Sequence, residues 1–142
     1  MADSIFAGSG QLNFDSGVPV GGWANVVLYP DGRYSFSGHF HDSGFIGYNV
    51  SVIWWIKSNS GTAFTFGTSG GVAGTITSGS RDWDFGINGV NPAIAAAWAD
   101  LSAGWNGQCN ANAGLDLDGL WGTVKAGLGA VGPIVAVVGA LA

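Results

Sequence analysis

Residues 28–41 read LYPDGRYSFSGHFH, and this stretch decides the fold. Pro30-Asp31-Gly32 supplies a fixed φ, a side chain that bonds its own backbone, and a residue at ease with positive φ, which is the chemistry of a hairpin turn. On both sides the pattern alternates. Tyr34, Phe36 and Phe40 share one face of a strand, whereas Arg33, Ser35, Ser37, His39 and His41 share the other, because successive side chains on a strand point to opposite faces.

Working outward, WWIKSNSGTAFTF repeats the device, with Ser58-Asn59-Ser60-Gly61 as the turn. Expected strands are 11–14, 24–29, 33–41, 49–57, 62–66 and 72–76. In NVSVIWWIK the row Val50, Val52, Trp54 and Ile56 is apolar. Ile53 and Trp55 make the opposite face half apolar too, and that face requires cover. Cover is expected from downstream, where GVNPAIAAAWADLSAG predicts a helix with Asn91 as N-cap, Pro92 in the first turn and Gly104 as the stop. Its apolar stripe is Ile94, Trp98 and Leu101. A second helix is expected from about Asp118, kinked at Pro133.

The fold class that follows is α+β: an antiparallel β-sheet or small barrel or sandwich, followed by C-terminal helices packed on it. The whole chain, 1–142, reads as a single domain, β-rich over about 1–90 and helical over about 91–142.

Composition narrows the function. Hydrophobic residues make up 47% and charged residues 9% of the chain, against about 25% charged in ordinary proteins, so the chain has ample material for a core. Glycine contributes 26 residues, which suits tight turns and close strand packing. A net charge of −5 repels phosphate backbones, so no nucleic-acid partner is expected. Cys109 is the only cysteine, which excludes an intramolecular disulfide. The opening MADSIFAGSGQLNF lacks the basic and apolar regions of a classical leader, so the expectation is a non-classical route or a mature form.

The ending AGLGAVGPIVAVVGALA, 126–142, carries no charge. A helix buried in the domain is the leading reading; insertion in a membrane and self-association are the others.

Motifs for catalysis are missing: no G-x-S-x-G elbow, no P-loop, no glutamate for a carboxylate pair. No cofactor is expected. The candidate binding residues are His39, His41, Asp82, Asp84, Trp55 and Trp83. His39 and His41, two apart on one strand, leave the same face and suit a shared zinc ion with Asp42 or with Asp82 and Asp84 of SRDWDFG. A solvated polar face explains them equally well, and no metal is assigned. Trp55 and Trp83, flanked by polar residues, are read as the exposed members of seven tryptophans, fit for a protein surface or a sugar.

YPDGRYSFSGHFHDSGFIGYNVSVIWWIKS, GTSGGVAGTITSGSRDWDFG and NPAIAAAWADL together resemble a group of small glycine-rich proteins of filamentous fungi, the hypersensitive-response-inducing elicitors. The resemblance implies a secreted, extracellular effector whose partner is a plant cell-surface component and whose detection triggers defence and local cell death. It carries over no site residue. Two alternatives stand beside it: a membrane-active protein that contacts lipid through 126–142, and a carbohydrate-binding module.

Overall fold

The computed structural model describes residues 3–14, 17–129 and 131–139. They form two sheets packed face to face, with three helices. The first sheet contains β1 (Ile5–Gly8), β2 (Leu12–Asn13), β3 (Val20–Leu28), β4 (Arg33–Asp42) and β7 (Asp82–Val90). Its order is β1-β3-β4-β7, with β2 pairing along the same β3, and every pairing is antiparallel. The second contains β5 (Tyr48–Ser58), β6 (Ala63–Val72), β8 (Trp105–Ala113) and β9 (Ile134–Val138), in the order β8-β5-β6-β9.

Both turns form where the residues predict them. Gly32 has φ 93° and Gly61 φ 102°, and each turn is closed by backbone hydrogen bonds, Gly32 N to Tyr29 O at 3.0 Å and Gly61 N to Ser58 O at 2.9 Å. The α+β reading holds, and the alternation assigns the faces correctly. Phe36 and Phe40 meet Val50, Val52, Trp54 and Ile56 from the other sheet in one continuous core. The predicted helical stripe closes this core, since Ile94, Trp98 and Leu101 are all buried in it.

The helices are α1 (Pro92–Ala96), α2 (Trp98–Ala103) and α3 (Leu117–Gly127). Asn91 caps α1 by accepting from the Ala93 N–H at 2.9 Å. The expected single helix is broken at Ala97, and Gly104 ends the second piece. Asp100 of α2 accepts from both the backbone N–H and the hydroxyl of Ser60, tying the helix to the second hairpin turn. Hydroxyl donation from Ser58 and Ser60 holds its carboxyl below the usual carboxylate range.

The third helix supplies the cover that Ile53 and Trp55 require. Leu120, Trp121, Val124 and Leu128 pack with them into a second, smaller core on the outer side of the second sheet. Its cap is Asp116, accepting from Gly119 N at 2.7 Å, so the helix begins slightly before Asp118.

Several expectations are corrected. Residues 73–76 are not a strand: β6 runs on to Val72, after which the chain turns. The part expected to be helical, 91–142, contains two strands. Trp105–Ala113 pairs antiparallel with β5. Ile134–Val138, expected inside a kinked helix, is a strand parallel to β6. The helix has already ended at Gly127, with Gly129 at φ 74°, and the Pro133 carbonyl then accepts from Ala63 N at 3.0 Å, starting the pairing. Ala130 and residues 140–142 of the expected segment lie outside the described residues. Among the described residues, no helix is long and apolar enough to cross a membrane.

Candidate functional site

The polar face of the first sheet collects most of the candidate residues. Antiparallel register sets Trp23 of β3 opposite His39 of β4, and His39 opposite Asp84 of β7. One row away stand Gly21, His41 and Asp82. Directly opposed side chains on one face lie within contact range, and these make contact. His39 Nδ1 is 2.7 Å from an Asp84 carboxylate oxygen and His41 Nδ1 is 2.8 Å from one of Asp82. A longer approach of 3.6 Å joins His39 Nε2 to the same Asp82 oxygen, so the four groups form a ladder across two strands.

This arrangement contributes little to folding. The Asp84 side chain is 73% exposed and that of His41 47%, and exposed pairs contribute only about 0–1 kcal/mol in water. Its effect is to orient. Each carboxylate fixes the rotation of an imidazole and assigns Nδ1 as the nitrogen bearing the proton. A neutral imidazole held this way presents Nε2 as an acceptor, and Nε2 of His41 has no protein partner among the described residues.

Beside the ladder lies a groove of about 400 Å³, bordered by Gln11, Gly21, Trp23, His39, His41 and Ser43. Gly21 forms its floor by having no side chain: a Cβ there would sit 3.0 Å from the Gln11 amide nitrogen. Trp23 and Gln11 were not among the sequence candidates. Trp23 carried a signal, since it stands between Gly21 and Asn25 on the face that alternation makes outward, whereas Gln11 carried none.

The remaining candidates lie elsewhere. Trp55, read as exposed, is 7% exposed beneath α3, because the same alternation that set it opposite Trp54 turned it toward the helix. Trp83 points inward rather than to solvent. It stacks on Phe40 at 5.7 Å and contacts Phe85, half-buried over Gly70 of the other sheet. Asp42, proposed as a companion of the histidines, is wholly buried on the opposite face, where it accepts from Gly44 N.

A carboxylate-oriented imidazole is half of a nucleophile-activating pair, yet the nearby Ser43 hydroxyl donates to the Pro19 carbonyl at 3.2 Å instead. Burial pushes the Cys109 thiol up to about 12, which keeps it protonated and inert. No group of three or more His, Cys, Asp or Glu side chains among the described residues is placed to hold a metal ion. No family model, curated protein or solved structure matches the chain.

Proposed function

We propose that the protein is an exported, non-catalytic effector of fungal type, sensed by plant cells through the outer face of the five-stranded sheet. The sequence resemblance supports the biological setting. The observation that carries the contact face is the His39–Asp84 and His41–Asp82 ladder beside Trp23, because two imidazoles and an exposed indole on central strands are oriented by two carboxylates of the edge strand β7 without adding much to stability. Polar groups fixed by their neighbours and left open to water suit a partner of complementary shape. The plant partner is a cell-surface component.

Infiltration of leaf tissue with the folded protein, beside a heat-denatured control, tests the reading. Folded protein is expected to trigger local cell death, and the Trp23→Ala/Asp84→Asn variant to need at least tenfold more protein for the same response. An inactive folded protein over a wide dose range, or a fully active variant, overturns it.

A further inference from the structure

We infer that the groove beside the ladder binds a neutral saccharide, an inference that rests on the contact face proposed above and names its ligand class. Trp23 is 39% exposed on the outward face. Its ring is open to stacking, and the slightly positive C–H groups of a pyranose face suit the negative face of an indole. The groove border offers Nε2 of His41 as an acceptor, and the carboxylates of Asp82 and Asp84 stand behind its two histidines, on the next strand. Gln11 and Ser43 add groups that both donate and accept. A ligand rich in hydroxyls satisfies such a surface, since each hydroxyl donates one bond and accepts others.

Charge decides between ligand classes. The groove border holds no lysine or arginine, two carboxylates adjoin it, and the whole chain carries −5. Phosphates, sulfated sugars and uronic acids are repelled. A cationic peptide is attracted but finds both carboxylates engaged with histidine, so that pairing with it means breaking existing contacts. A neutral sugar needs neither. The volume of about 400 Å³ falls in the range of small-molecule sites. The Gly21 floor admits a ring where any side chain would meet Gln11.

The site is also preformed. Strands β3 and β4 are central in their sheet, His39 and His41 are held by pairing on both sides, and Trp23 pairs with His39, so little ordering remains for binding.

The test uses the full chain against hexamers of β-1,4-glucose, β-1,3-glucose, β-1,4-xylose, β-1,4-mannose and β-1,4-N-acetylglucosamine, with oligogalacturonate and oligolysine as charged comparators, read by calorimetry and by Trp fluorescence. Binding to at least one neutral hexamer at submillimolar concentration is expected. Trp23→Ala should weaken it at least tenfold, Trp23→Tyr should restore part of that loss, and His41→Ala should weaken it at least threefold. Trp105→Ala, an exposed indole on the other sheet, should leave it unchanged. Near-ultraviolet circular dichroism verifies that each variant is folded. No binding to any neutral hexamer at millimolar concentration, binding indifferent to Trp23→Ala, or preference for a charged comparator overturns the inference. The two readings fail separately. Sugar binding by a protein that leaves tissue unharmed removes the effector reading alone, while a leaf response that depends on Trp23 without any sugar binding removes the saccharide alone.

Discussion

The indole N–H of Trp54 donates to the carbonyl oxygen of Ala24 at 2.8 Å, a buried hydrogen bond that runs from β5 of one sheet to β3 of the other. The same carbonyl also accepts from Ser9 N at 3.1 Å, so the N-terminal segment shares the joint. Trp54 is thus both filler and fastener, and Ala24 lies next to Trp23 of the groove. Trp54→Phe keeps most of the apolar bulk and removes the donor. Because the carbonyl retains its Ser9 partner, the loss should fall at the low end of the range for an unsatisfied buried group, about 1–1.5 kcal/mol. Trp54→Ala adds a cavity and should bring the loss to about 3–5 kcal/mol. Urea unfolding of the two variants measures the difference.

Gly22 faces the core directly behind the candidate site. A Cβ there would overlap the His39 carbonyl oxygen and come within 2.7 Å of the Phe40 ring. Neither neighbour can move freely, because one is backbone in a central strand and the other is fully buried. Gly22→Ala therefore should push β3 away from β4, destabilise the protein by about 1–3 kcal/mol or more, and displace His39 from Asp84. Gly86→Ala makes the control, since nothing lies within 4 Å of its would-be Cβ. Thermal unfolding of the pair should separate a steric effect from a general loss of glycine.

Most of what positions the site was readable from alternation. RYSFSGHFHD declares its faces by period two, and NVSVIWWIK shows one fully apolar row beside a half-apolar one, as a central strand buried on both faces does. DWDFGINGV, the strand β7, alternates just as plainly: Trp83, Phe85 and Ile87 face in while Asp82, Asp84, Gly86 and Asn88 face out. Applying that rule would have turned Trp83 inward and brought Asp82 and Asp84 beside the histidines. Two other strands were not legible. After Trp105, WNGQCNANA has only Gly, Cys and Ala to alternate with Asn and Gln, since as an edge strand it needs little apolar surface. IVAVV is apolar throughout and too short for periodicity to separate strand from helix. Trp55 shows the remaining limit: its face follows from the sequence, but what lies on that face is decided by α3, far along the chain.

Cys109 should behave as a structural thiol. It lies on β8 opposite Trp54, and burial raises its pKa from 9.0 to about 12. The sign is that of a group held neutral by the fold. Its contribution is fully present below pH 9, the unfolded value, and is lost as pH rises toward 12, at about 1.4 kcal/mol per pH unit within that window. A disulfide reagent at pH 8 is expected to label native protein at least a hundredfold more slowly than protein in 6 M guanidinium. Cys109→Ala should flatten the decline in stability between pH 9 and 11. Equal labelling of native and unfolded protein contradicts the assignment.

The apolar ending raises the last prediction, because a strand and a helix made of the same residues fail differently. Ile134–Val138 is the outer strand of its sheet, and its backbone is engaged by β6, with Thr65 Oγ1 donating to Val135 O at 3.4 Å. Val135, Val137 and Val138 pack on the main core and Ile134 on the smaller one, so the strand joins the two cores along one edge. Ending the chain at Gly132 removes these half-buried side chains, roughly 3–5 kcal/mol of apolar burial. It also bares the β6 edge, whose residues Ala63, Phe64, Thr65 and Phe66 are buried and unsuited to water. Two results should appear together: a fall in unfolding midpoint and concentration-dependent association through the open edge. Val135→Pro tests the edge without shortening the chain, since in this parallel register the Val135 N–H is directed at β6, and Ile134, Val137 and Val138 stay in place. A helix docked by its side chains alone would not leave an open strand edge when removed. Light scattering across a dilution series, read beside the thermal midpoint, distinguishes the two, and a truncated protein that stays monomeric with an unchanged midpoint contradicts the strand.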